Sequence, residues 1–298
     1  MPLSLQAIPI IPLRLSIKIE YNLSVKLLKI LLFFLPIFLC GEKPSVMVTI
    51  PPYAQLAREL VGDQVEVVSV VPAGADMHTF EPTPRQVDAT LGAQIWFQVG
   101  EHFEKKLEKT LKNHNPKLQT VDLKQGVELM GGTCSHGHCT SDLHFWLDPI
   151  ILKTQVKTMG AALCQLFPES CPEIRQREAS LLAQLTLLDQ QIRRNLSSSS
   201  KKTFLVSHPS FSYFAKRYGL TQLSVEHEGR EPSPREITRL LRRVKEHQVA
   251  VVFTQPQFNN KGAEILAKQL NLKVVEVDPY SASFLDSIET VSKELGKE

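Results

Sequence analysis

Val65-Glu-Val-Val-Ser-Val-Val-Pro-Ala-Gly-Ala-Asp-Met-His78 is an apolar, largely β-branched run that breaks into a turn-rich loop and stops at a histidine. Three more stretches follow the same plan: Leu143-His144-Phe-Trp-Leu-Asp-Pro149, Thr203-Phe-Leu-Val-Ser-His208 and Lys273-Val-Val-Glu-Val-Asp278-Pro279. Each pairs a strand-like run with an imidazole or a carboxylate. In an open α/β sheet, ligands sit in the crevice beyond the carboxyl ends of the strands. Three imidazoles and one carboxylate delivered there have the stoichiometry of a tetrahedral zinc site.

Working outward, strand-like runs alternate with helical patterns, which predicts parallel βαβ units. Strands are expected at 46–50, 65–71, 95–99 and 118–123 in a first lobe, and at 204–207, 223–226, 249–254 and 273–277 in a second. Helices are expected at 53–61, 84–91 and 103–113, then at 210–218, 234–246, 262–270 and 283–295. Thr83-Pro-Arg-Gln86 and Ser233-Pro-Arg-Glu236 each offer a hydroxyl N-cap, a proline at the first helical position and a Gln or Glu that completes a capping box. Between the lobes, Ile174, Leu181, Leu185, Leu188, Ile192 and Leu196 recur at helical spacing in 172–196, with no glycine and no internal proline. The expected fold is α/β: two Rossmann-like lobes with parallel sheets, joined by one long rigid helix, with a metal site in the cleft. The expected division is an export signal at 1–40, an N-terminal lobe at 44–170, the linking helix at 171–200 and a C-terminal lobe at 201–298.

The chain has 298 residues, 43% apolar and 22% charged, enough for real cores. Its net charge of +3 is accounted for by Arg14, Lys18, Lys26 and Lys29 against Glu20, all ahead of Cys40. The remainder is neutral, so no nucleic-acid partner is implied. Lys26 and Lys29 precede the apolar run from Ile30 to Cys40, which is short for a bilayer span and carries Pro36; it reads as an export signal whose native start lies near Val25. Cys134/Cys139 and Cys164/Cys171 form two local pairs, and an exported protein permits disulfides; four free buried thiols are the alternative.

His78-Thr-Phe-Glu-Pro-Thr-Pro84, His144-Phe-Trp-Leu-Asp-Pro149, Ser207-His-Pro-Ser-Phe211, Glu231-Pro-Ser-Pro234, Gln255-Pro-Gln-Phe258 and Val277-Asp-Pro279 together resemble the zinc/manganese-type solute-binding proteins of bacterial ABC importers, the ZnuA/TroA type. The resemblance runs from about Val46 onward, with the motifs in that family's order. It implies that His78, His144 and His208 are metal ligands, that Asp278 closes the site, and that Trp146 and Asp148 support His144. It also implies an ABC permease as partner, a monomer, and residence in the periplasm or at the cell surface. Cys40-Gly41 resembles a lipoprotein attachment site, an alternative to a cleaved signal, which would tether the protein to a membrane.

Three nitrogens and one oxygen favour Zn2+; Mn2+, which prefers more oxygen donors, and Fe2+ stay open as alternatives. Gly131-Gly-Thr-Cys-Ser-His136-Gly-His138-Cys139 stands where zinc-type members of the family carry a longer His-rich loop. His136 and His138 are therefore accessory metal candidates, against a plain disulfide loop. Glu226-His-Glu228 is metal-capable by composition and reads as a solvated turn. A zinc hydrolase is disfavoured, because there is no His-Glu-x-x-His pair and four protein ligands leave no place for activated water. A metal-dependent adhesin is a third class, with no partner specified by the residues.

Overall fold

Two four-stranded, all-parallel sheets carry the molecule, in strand orders β2-β1-β3-β4 and β10-β9-β7-β8. The computed structural model describes residues 43–135, 138–226 and 232–297, with backbone alone for 132–135 and 138–140. The first sheet comprises β1 (Ser45–Val48), β2 (Glu66–Ser69), β3 (Ala93–Gln98) and β4 (Gln119–Asp122), linked by α1 (Pro51–Val61), α2 (Pro84–Asp88) and α3 (His102–His114). An antiparallel hairpin follows, β5 (Gly131–Ser135) and β6 (His138–Ser141), then α4 (Pro149–Leu166) and α5 (Cys171–Ser197). The second sheet holds β7 (Thr203–Val206), β8 (Thr221–Ser224), β9 (Val251–Thr254) and β10 (Lys273–Glu276), with α6 (Ser212–Tyr218), α7 (Pro234–Glu246), α8 (Lys261–Leu270) and α9 (Phe284–Leu295).

Parallel strands need crossover connections, and helices laid over both faces bury the central strands completely. Hence β1 (SVMV), β7 (TFLV) and β9 (VVFT) read as unbroken apolar runs and are buried at every position. The edge strand β10 is exposed at Lys273, Val274 and Glu276. In each sheet the chain steps from the first strand to one neighbour and then crosses to its other side, between β1 and β3 and between β7 and β9. These reversals open a crevice at the carboxyl ends of the strands.

Both expected capping boxes are present: Thr83 and Gln86 at α2, Ser233 and Glu236 at α7. Asp148 caps α4 by accepting from Ile150 N at 2.8 Å, with Pro149 in the first turn. Helix α5 is 27 residues long, about 40 Å at 1.5 Å per residue. It buries Ile174, Leu181, Leu185, Ile192 and Leu196, against α1, α4 and α9. One apolar core therefore runs from Val46 and Trp96 of the first lobe through this stripe to Phe204, Phe253 and Ile288 of the second. A disulfide joins Cys164 to Cys171, fastening the end of α4 to the start of α5. Cys134 and Cys139 are register partners in the hairpin backbone; their pairing as thiols falls outside the described side chains, and the export-signal reading falls on residues outside the described ones.

One local expectation is corrected. The stretch after His144 is not extended: Phe145–Leu147 form a turn of 3-10 helix, and all three side chains are buried. The expected strand-like run gives way to this turn, which leads directly into the Asp148 cap and Pro149 start of α4.

Candidate metal centre

His78 reaches the cleft on the loop after β2. Asp76 shapes that loop: its Oδ1 accepts from His78 N at 2.9 Å and its Oδ2 from the Thr79 hydroxyl at 3.0 Å, while Met77 between them is fully buried. His144 stands between the hairpin and the 3-10 turn, and its backbone N donates to Asp142 Oδ1 at 2.9 Å. His208 lies two residues beyond β7, with its backbone N on Gln255 Oε1 at 2.7 Å and its ring stacked on Phe258, centroids 3.9 Å apart and planes 1° apart. The three ring centroids form a nearly equilateral triangle with sides of 5.1, 5.3 and 5.2 Å.

Every Nδ1 faces a carboxylate: His78 with Glu101 at 3.1 Å, His144 with Asp142 at 2.8 Å and His208 with Glu226 at 2.7 Å. The last two are hydrogen bonds. Glu101 Oε1 is within pairing distance of His78 Nδ1 and is buried with no other partner. A carboxylate on Nδ1 holds the proton there and turns the Nε2 lone pair outward. The remaining ring nitrogens converge, one from each histidine, all within 4.8 Å of one another. His78 Nε2 and His144 Nε2 are 3.3 Å apart, the edge expected for two nitrogens on one tetrahedral zinc, about 3.3 Å. His208 Nε2 is buried and has no hydrogen-bond partner. A buried lone pair of this kind is costly unless something binds it.

The electrostatics set His208 apart from His78. Burial pushes His208 down to about 4, helped by the charges of His144 and His78 and opposed by Glu226. Burial also works to lower His78, but Glu101, Asp76 and Glu226 outweigh it and raise it above its ordinary value. Burial would raise Asp142, yet its bonds and charge pairing with His144 hold it below the usual carboxylate range. Beside Glu101, Glu104 accepts from Val99 N at 2.9 Å and Gly100 N at 2.7 Å, and burial raises it to about 7. It clamps the end of β3, where Gly100 takes φ of 102° and turns Glu101 towards His78.

Of the expected ligands, His78, His144 and His208 meet and Asp278 does not join them. Asp278 Oδ1 is engaged by Gln257 Nε2 at 2.7 Å and Tyr280 N at 2.9 Å, and its backbone is pinned to the Ser287 hydroxyl. It shapes the turn after β10, the ordinary use of an Asp-Pro pair at a strand end. What that turn brings to the site is Tyr280, whose hydroxyl is 2.6 Å from His144 Nε2. Trp146 supports the same turn through Nε1 to Pro279 O at 2.9 Å and lies 5.3 Å from the His144 ring. Asp148 does not support His144; it caps α4 and pairs with Arg217 at 2.8 Å. Glu226 is no solvated turn, since it backs His208. His136 lies outside the described residues, and of His138 only the backbone is described.

Residues 46–296 match the family model described as "Zinc-uptake complex component A periplasmic". The chain belongs to the ZnuA family. Members are solute-binding proteins of ABC importers rather than enzymes, and the family implies a metal ion as cargo and a permease as partner. The high-affinity zinc uptake system protein ZnuA of Bacillus subtilis is 26% identical over 272 residues, covering 85% of this chain and 81% of that one. A crystal structure of ZnuA superposes with a TM-score of 0.79 at 31% identity, covering 86% of this chain and 98% of the other. FpvC of Pseudomonas aeruginosa, solved in complex with Mn2+, shares the fold with a TM-score of 0.74 at 20% identity, covering 86% and 98%.

Proposed function

We propose that this chain captures one Zn2+ through the Nε2 atoms of His78, His144 and His208 and presents it to a membrane permease. The observation that carries this reading is the set of three Nδ1–carboxylate pairs, which leaves one ring nitrogen of each histidine free to converge. Neutral imidazoles suit zinc, whereas manganese prefers an oxygen-rich shell. In the proposed organisation, residues 1–40 direct export and Cys40 tethers the protein as a monomer at the outer face of a membrane, while 44–170 and 201–298 are the two lobes on the linking helix at 171–200.

Titration of purified protein with Zn2+ in competition with a chelator, and separately with Mn2+, tests the reading. The expected result is one zinc per chain, held far more tightly than manganese, with His78→Ala, His144→Ala and His208→Ala each losing more than 100-fold in affinity. Wild-type affinity in any of these variants removes that residue from the site, and a preference for manganese overturns the metal assignment.

A further inference from the structure

The metal-site reading leaves one polar group at the centre of the cluster unused, the hydroxyl of Tyr280. Its ring is fully buried and fenced by His144, Trp146 and Phe258, with centroids 5.8, 5.7 and 6.0 Å away. The backbone that carries it is fixed on both sides, by Asp278 Oδ1 on Tyr280 N and by Trp146 on Pro279 O. The hydroxyl is thus placed with little freedom, 2.6 Å from His144 Nε2. Because Asp142 holds the proton on His144 Nδ1, Nε2 can only accept, and Tyr280 O–H is the donor.

A directional chain stands behind that bond. Gln255, whose Oε1 accepts from His208 N, donates through Nε2 to Ser210 Oγ at 2.6 Å. The fully buried Ser210 hydroxyl in turn bonds the Tyr280 oxygen. With Ser210 donating to its oxygen, the Tyr280 hydroxyl keeps its own proton for His144 Nε2.

We infer that Tyr280 is an affinity-setting residue that competes with the metal ion for the Nε2 lone pair of His144. One lone pair serves one partner: a bound zinc takes it, and the Tyr280 hydroxyl gives up its hydrogen bond to His144. When the metal departs, the same proton re-covers His144, so no buried nitrogen is stranded during release. The competitor weakens binding by about the net worth of one hydrogen bond and speeds release, which suits a protein that must give its cargo away. This inference rests on the three-histidine reading and adds to it a group outside the ligand set.

Tyr280→Phe, which keeps the ring and removes only the hydroxyl, separates the two. Chelator competition and stopped-flow release of Zn2+ are measured on wild type and variant. The expected result is zinc binding about 3- to 10-fold tighter, with the gain in a slower release rate. Nitrogen NMR of histidine-labelled protein in excess chelator should show the His144 Nε2 resonance moving towards that of a free lone pair in the variant. Unchanged or weaker affinity in Tyr280→Phe overturns the proposal, as does an unmoved His144 signal. Wild-type titration alone judges the three-histidine site, and the NMR comparison judges the Tyr280 bond whether or not zinc binds.

Discussion

Glu226 Oε2 lies 2.7 Å from His208 Nδ1 because of strand register. β7 and β8 pair in parallel with Val206 opposite Ser224, and His208 and Glu226 each stand two residues further along. Backbone bonds continue past the strand ends, from Val225 N to Val206 O and from Glu226 N to Ser207 O, both 2.9 Å. The orientation of this ring is thus set by the sheet itself. Glu226→Ala is expected to lower zinc affinity by about 10–100-fold with the fold retained; circular dichroism and chelator competition check the two halves of that statement. A change below about threefold would remove Glu226 from the support of the site.

Acid should act on His78 and His208 unequally. A bound metal requires neutral imidazole. His78 is raised above 6.5, so it is protonated at a higher pH than an ordinary histidine and competes with zinc from near neutrality downward. His208, at about 4, stays neutral until far lower pH. Calorimetry in buffers of different ionisation enthalpy at pH 6 should report proton release that His78→Gln diminishes and His208→Gln does not.

His208 also links pH to the stability of the chelator-stripped protein. Its folded value of about 4 lies below the unfolded value near 6.5. Between these limits the unfolded chain binds a proton that the native protein refuses, so stability falls as pH falls from 6.5 towards 4. The loss attributable to His208 reaches up to about 3 kcal/mol. Urea unfolding at pH 7 and pH 5 should show a smaller difference in His208→Gln than in wild type.

Asp278 separates a turn-former from a ligand. Its Oδ1 accepts two hydrogen bonds, which the amide oxygen of asparagine can also accept. Asp278→Asn should leave zinc affinity within about threefold, while Asp278→Ala, which frees the turn that carries Tyr280, should change it more. Equal large losses in both variants would show the carboxylate acting as a ligand.

The Cys164–Cys171 disulfide closes a short loop between α4 and α5. For a loop of about eight residues, chain entropy gives a stabilisation of roughly 2–3 kcal/mol. The Cys164→Ser/Cys171→Ser double variant should lose that much by urea unfolding at unchanged zinc affinity.

The hairpin offers a test of the accessory histidines that a deletion cannot give. Met130 N and Asp142 O, on either side of it, both bond the Tyr213 hydroxyl, so excising the hairpin would disturb Asp142 and with it His144. His136→Asn/His138→Asn avoids this. Zinc affinity should be unchanged, and uptake under zinc scarcity should fall if the pair gathers metal; wild-type growth would leave a plain loop.

The doubled parallel plan and the long helix were legible because central strands and helix faces leave different periods in the chain, unbroken apolar runs against steps of three, four and seven. The three histidines were legible because each stands at the head of a motif. Their carboxylates were not. Glu101 is three residues beyond β3 and Glu226 two beyond β8, so they meet His78 and His208 only once the strands are aligned. Asp142 was closer to view, two residues before His144, the spacing at which an aspartate turns back on its neighbour's backbone. Asp278 stays open for the complementary reason, since a strand-end Asp-Pro looks alike whether its oxygens face a metal or the next turn.

The stripe on α5 that backs both sheets has a consequence for how the chain comes apart. Phe284, Ile288, Val291 and Leu295 of α9 are fully buried in the same core as Val46 and Trp96 near the other end of the described chain. The lobes are therefore expected to unfold in one calorimetric transition, because lifting α9 from α5 uncovers the wall on which the first sheet also leans.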